Sequence, residues 1–160
     1  MPKQQAKLYR RLWTSRNDLE KAKSYTEYIL RKRLHSGHIR TKGAYFQSGA
    51  FTTALVISYA RTFIDPKGWQ DKLLALSRPS AEQLKLHETL MSMRNELFAH
   101  SDLRHYDITP GRFGSMRTET VDATHFELEA DEIRLLDHHI GHLCAKISRE
   151  MMETLDTSSP

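Results

Sequence analysis

"ADEIRLLDHHIGHLCAKISREMMETL", residues 130–155, decides the fold. Ile133, Leu136, Ile140, Leu143, Ile147 and Met151 recur at steps of three and four residues. That period lines one face of an α-helix, and charged residues fill the other faces. A helix with one such stripe is unstable alone and must lay it against other helices or a sheet. The rest of the chain shows which.

Towards the N-terminus, helical patterns dominate. From about Lys7 to Leu34, the residues Leu12, Leu19, Ala22, Tyr25, Ile29 and Arg33 give a second stripe. Gly37 and Gly43 bracket a basic loop that ends it. From about Ala44 to Phe63 the chain is apolar on nearly every face, with Ala50, Ala54, Ile57 and Ala60 small or branched. This helix is expected at the centre of a bundle. Asp65-Pro66-Lys67-Gly68 signals a turn, and "WQDKLLAL" fits a short helix. Ser80 followed by Gln83 has the form of a capping box, opening a helix with Leu84, Leu86, Leu90, Met93 and Leu97 as apolar contacts. Beyond His100 the pattern fails. "LRHYDITPGRFGSM", residues 103–116, holds Pro110, Gly111 and Gly114 and reads as a loop. "RTETVDATHFELEA", residues 117–130, suits a short strand or hairpin around Val121, Phe126 and Leu128. "TSSP" is a frayed tail. The expected architecture is all-α: one domain over residues 1–160, an antiparallel bundle of four to five helices with an irregular loop or short-strand region before the last helix.

Composition agrees. The chain is 39% hydrophobic and 28% charged, as in folded globular proteins, and its seven Gly and five Pro are few for a turn-rich β fold. One cysteine, Cys144, excludes an internal disulfide and fits a reducing cytoplasm. The N-terminus "MPKQQAKLYRRLW" lacks the apolar run of a signal peptide. "AYFQSGAFTTALVISYA" is broken by Gln, Ser and Thr, so a buried helix is expected there and no membrane span. The net charge of +4 is uneven: residues 1–42 hold twelve Lys/Arg against three Asp/Glu. A basic front half suits an anionic partner such as RNA, or a solvated helix face; "LRKRLHSGHIRTK", residues 30–42, fits either.

"MRNELFAHSD", residues 93–102, gathers a guanidinium, an amide, a carboxylate and an imidazole. Arg94 and His100, six residues apart, point about 120° apart on a regular helix, with roughly 9 Å of rise between them. They cooperate only if the helix ends or bends, or if two copies meet across a two-fold axis. An imidazole titrates near neutrality and moves protons; a guanidinium holds a phosphate and its developing charge. Together they suffice for metal-free RNA cleavage, with Asn95 orienting the histidine or donating to a phosphate oxygen. Equally, an Arg and a His near a helix C-terminus suit the macrodipole without any catalysis.

"RNELFAH", residues 94–100, resembles the Arg-(four to six residues)-His motif of the HEPN superfamily, including the polar residue directly after the arginine. The loop, the extended "HFELEADEI" and the final amphipathic helix are similar to its abortive-infection branch. The resemblance implies a homodimeric, metal-independent endoribonuclease of defence or toxin–antitoxin type, with Arg94, Asn95 and His100 catalytic, no cofactor and a cognate antitoxin as a possible partner. Some branches carry a tyrosine two residues after the histidine; here that position is Asp102, and the nearest tyrosine is Tyr106. Other members are non-catalytic, so a helical dimer that binds RNA, nucleotide or protein is the alternative.

The other candidates are weaker. His138 and His142 have the i, i+4 spacing of a zinc pair, but Cys144 points elsewhere, and His139 borders the apolar stripe. His35 and His38 in "HSGH" form no better set, and no metal site is expected. Arg112 and Arg117 flank the Gly-containing loop after the motif and are candidate RNA contacts.

Overall fold

The computed structural model describes residues 2–35, 37–39, 41–64, 68–98, 106–113, 116–123 and 128–156. Among these residues the chain forms an all-α bundle with a β-hairpin: α1 (Lys3–Lys32), α2 (Lys42–Phe63), α3 (Trp69–Ser77), α4 (Ala81–Phe98), β1 (Tyr106–Phe113), β2 (Met116–Ala123) and α5 (Ala130–Asp156). Four long helices form a closed ring of neighbours: α1 on α2, α2 on α4, α4 on α5 and α5 on α1. The short α3 packs against α5 and α2. Ser15 in the first half of α1 meets Trp69 and Thr62 near the end of α2, and Thr26 late in α1 meets Asp137 early in α5. So α1 runs antiparallel to both of its neighbours.

The stripe on α5 is buried as its period requires: Ile133, Leu136, Ile140, Leu143, Ile147 and Met151 all lie in the core. On α1, Leu12, Leu19, Ala22 and Ile29 are buried, while Tyr25 is half-buried and packs against the core. Arg33 instead caps the helix in the left-handed region at φ 53°, exposed. The capping box before α4 is reciprocal. The Gln83 amide N–H donates to Ser80 Oγ at 3.2 Å, and Gln83 Oε1 accepts from the Ser80 N–H at 2.9 Å.

Several local expectations change. Gly43 lies inside α2; Thr41, whose hydroxyl accepts from the Ala44 N–H at 3.1 Å, ends the loop instead. The second helix is not the centre of the bundle. Its first third is largely exposed, as is Ala50, and Phe46 is 63% exposed. Low charge alone does not bury a helix: the first third of α2, which holds Lys42 and Gln47, leaves even Tyr45 and Phe46 exposed. The helix flanked by the two largest packing partners is α1, between α2 and α5. Leu84 is exposed, whereas Leu86, Leu90 and Met93 are buried.

The stretch read as a loop contains a strand. β1 pairs antiparallel with β2, from Tyr106 opposite Ala123 to Phe113 opposite Met116. Pro110 and Gly111 argued against a strand, but in a two-stranded ribbon every strand is an edge, where Pro is tolerated. Gly114-Ser115 between two Thr-, Tyr-, Phe- and Val-containing runs was the hairpin signal. Of the Asp65–Gly68 turn, only Gly68 is among the described residues; at φ 90° it caps α3. The tail at 157–160 lies outside them.

Candidate functional site

Position 94 follows from the pattern of α4. His87, Leu90 and Arg94 stand at i, i+3 and i+7, on one face of the helix. His87 and Leu90 are buried, at 1% and 0% exposure. Arg94 therefore leaves the inward face of α4 where that face reaches the end of the bundle. It is half-buried, and its guanidinium donates from Nη1 to Asn95 Oδ1 at 3.0 Å. Asn95 itself is exposed. His100 lies outside the described residues, as does Asp102.

Arg94 opens into a cleft of about 770 Å³ between α1, α2, α3 and α4. Lys7, Arg10 and Arg11 enter it from α1 and Arg61 from α2; Asp18 is the single carboxylate in its wall among the described residues. Asp18 is buried and lies 3.7 Å from both Arg61 and Lys21. Arg11 stacks over Trp69, with its guanidinium carbon 4.3 Å from the ring centroid. Trp69 is fixed in turn: its Nε1–H reaches the Thr62 carbonyl at 3.2 Å and Ser15 Oγ at 3.3 Å. Five cations facing one paired carboxylate make a positive field suited to an anion.

The basic front half thus shares this cleft with Arg94, but through "KLYRR", residues 7–11, and not through the 30–42 stretch singled out by its charge density. In that stretch Arg31, Lys32 and Arg33 are exposed, and His35 packs edge-on to His38 with ring centroids 4.5 Å apart. The missed signal for the cleft was an arginine on an apolar stripe, at Leu90+4. The signal for Arg11 was its place four residues before Ser15 and eight before Leu19, one and two turns ahead on the same face of α1. Arg112 and Arg117 are opposed in the hairpin register.

A second polar group, with no signal in the sequence pattern, sits inside the bundle. His87 Nδ1 is 3.0 Å from the Tyr59 hydroxyl, and His87 Nε2 is 3.3 Å from the Gln70 side-chain amide. A neutral imidazole, donating from one nitrogen and accepting at the other, satisfies both. Burial lowers the His87 pKa and raises that of Tyr59. His139 is buried as its position beside the stripe implied, and burial, aided by His87, His142 and His138, pushes its pKa down to about 4. Both histidines, His87 and His139, lie in the packed interior of the bundle. His138 and His142 are not buried, and among the described residues no three His, Cys, Asp or Glu gather as a metal site. Burial pushes the Cys144 thiol up to about 11, which makes it a poor nucleophile. Among the described residues no helix is long and apolar enough to cross a membrane.

No protein-family model, curated protein or solved structure matches the chain.

Proposed function

We propose that this chain is a metal-independent endoribonuclease of toxin or defence type, acting as a homodimer, as its resemblance to the HEPN superfamily implies. The observation that carries the reading is the placement of Arg94: on the inward stripe of α4, held by Asn95, and opening into a cleft with four more cations. In the reaction the His100 imidazole takes the proton of a ribose 2′-hydroxyl. The 2′-oxygen attacks the adjacent phosphorus, and the bond from phosphorus to the 5′-oxygen breaks. The leaving oxygen takes a proton, so the products are a 2′,3′-cyclic phosphate and a 5′-hydroxyl. Arg94 stabilises the charge that builds on the phosphate oxygens. As the resemblance implies, the partner subunit completes the constellation across a two-fold axis near α4. Its cellular setting is the cytoplasm, with a cognate antitoxin as partner.

The test is RNA cleavage in EDTA, together with a substrate whose 2′-hydroxyl at the cut site is replaced by hydrogen. The normal RNA should be cut and the deoxy substrate should be inert. Activity lost in EDTA, or a cut deoxy substrate, refutes this chemistry. Light scattering should give a dimer; a monomer at micromolar concentration refutes the composite site. A dimer that binds RNA without cutting it is the non-catalytic alternative.

A further inference from the structure

The cleft beside Arg94 is larger than one scissile phosphate requires, and its chemistry says what else it holds. Its cations come from three helices. On α1, Lys7, Arg10 and Arg11 fall within about one helical turn, with Lys7 and Arg10 at the exposed rim. Arg61 comes from α2 and Arg94 from α4. Planar guanidinium forks match phosphate oxygens two at a time, which a single ammonium cannot do. One of them, Arg11, is pre-positioned by resting on Trp69, while the exposed Arg61 lies 3.7 Å from buried Asp18. A side chain already ordered loses less entropy on binding.

Among the described residues the same cleft offers a base no open aromatic ring to stack on. Its one aromatic among the described residues, Trp69, is 6% exposed, with Arg11 over the ring at 4.3 Å and Lys72 at 5.9 Å. Single-stranded nucleic acids are gripped by cations on the backbone and aromatic platforms under the bases. Here only the first is present. A volume of about 770 Å³ would admit a mononucleotide, yet a nucleotide site needs contacts that read the base or sugar, and this wall consists mostly of charged groups.

We propose that the cleft is a backbone-binding groove for single-stranded RNA, in which Lys7, Arg10, Arg11 and Arg61 hold phosphates next to the one engaged by Arg94, without reading the bases. The proposal rests on the ribonuclease reading for its choice of RNA. It adds that α1, which carries no part of the motif, supplies the substrate grip, and that base preference at the cut arises elsewhere.

The experiment uses the full chain carrying His100→Ala, so that bound RNA stays intact, and follows the fluorescence anisotropy of labelled single-stranded oligo(A) and oligo(U) in EDTA at several salt concentrations. Arg10→Gln combined with Arg61→Gln should weaken binding by on the order of tenfold and reduce the salt slope by about 0.7 for each phosphate no longer neutralised. Lys7→Gln with Arg10→Gln, both exposed rim positions, should act in the same direction and serves if Arg61→Gln disturbs folding. Arg31→Gln with Lys32→Gln, exposed at the far end of α1, should change nothing. Oligo(A) and oligo(U) should bind alike. Equal losses in groove and control variants, a strong base preference, or no RNA binding at all would overturn the proposal. Cleavage by otherwise unaltered protein separates the two readings. RNA held in the groove but never cut refutes the ribonuclease and leaves the groove. RNA cut at an unchanged rate by the groove variants refutes the groove and leaves the ribonuclease.

Discussion

Arg94 is a cation on a stripe that is otherwise buried, and its neighbours on that stripe show why the position is demanding. His87 and Leu90 need to be dry, whereas a guanidinium needs partners. The end of the bundle reconciles the two by letting the side chain pass from the core edge into a cleft. If Arg94 is catalytic, Arg94→Ala should reduce RNA cleavage by about 10²–10³-fold, as removal of a charge-stabilising donor does. His100→Ala should cost about 10²–10⁴-fold, as loss of a general acid or base does. Both variants should melt close to the unaltered protein. Arg94→Lys keeps the charge but loses the fork, and should recover only a small part of the rate. Full activity in both alanine variants, measured on the same RNA, would reduce the motif to an ordinary helix end.

At the scale of elements, α4 depends on how it begins. Ser80 and Gln83 satisfy two orphan N–H groups between them, which fixes where the helix starts and hence the angle at which Arg94 emerges fourteen residues later. Ser80→Ala should cost about 1 kcal/mol of stability, read as a lowered denaturant midpoint at unchanged slope. Ser80→Asp keeps an acceptor and should retain most of it. An unchanged midpoint in Ser80→Ala would mean that α4 is held by packing alone. The contact between α1 and α5 has a comparable polar fix. The Thr26 hydroxyl, fully buried, reaches Asp137 Oδ1 at 2.6 Å, while Lys23 lies 3.4 Å from the same carboxylate. That contact ties the second half of α1 to the start of α5.

For the whole molecule, the consequence of the buried histidines is acid sensitivity. His139 is neutral in the fold, with its pKa lowered from 6.5 to about 4, and His87 is lowered too. Below about pH 6.5 the unfolded chain binds protons that the folded chain refuses, so stability falls as pH drops from there towards 4 and is level above it. A shift of this size is worth on the order of 3 kcal/mol by the lower end of the window. Melting temperatures between pH 7.5 and 4.5 should show the decline. His139 Nε2 is buried without a hydrogen-bond partner among the described residues, so His139→Leu should not destabilise the protein at pH 7.5 and should flatten the decline. A pH profile unchanged by that substitution would place the acid sensitivity in other groups.

The sequence by itself determined the helices. Ile133 to Met151 and Leu12 to Ile29 carry a 3.6-residue period that only one conformation can bury, and Ser80-x-x-Gln83 marks a helix start with local chemistry alone. It also drew attention to Arg94, Asn95 and His100, since a motif is a property of neighbours in sequence. Tertiary structure decided which helices are neighbours and how deeply each lies, because the exposed start of α2 and the position of α1 between α2 and α5 depend on contacts between distant residues. It decided as well that Lys7, Arg10, Arg11 and Arg61 share a cleft with Arg94. Periodicity assigns each of these residues a face of its own helix. Charges far apart along the chain combine into one field only after the bundle has closed.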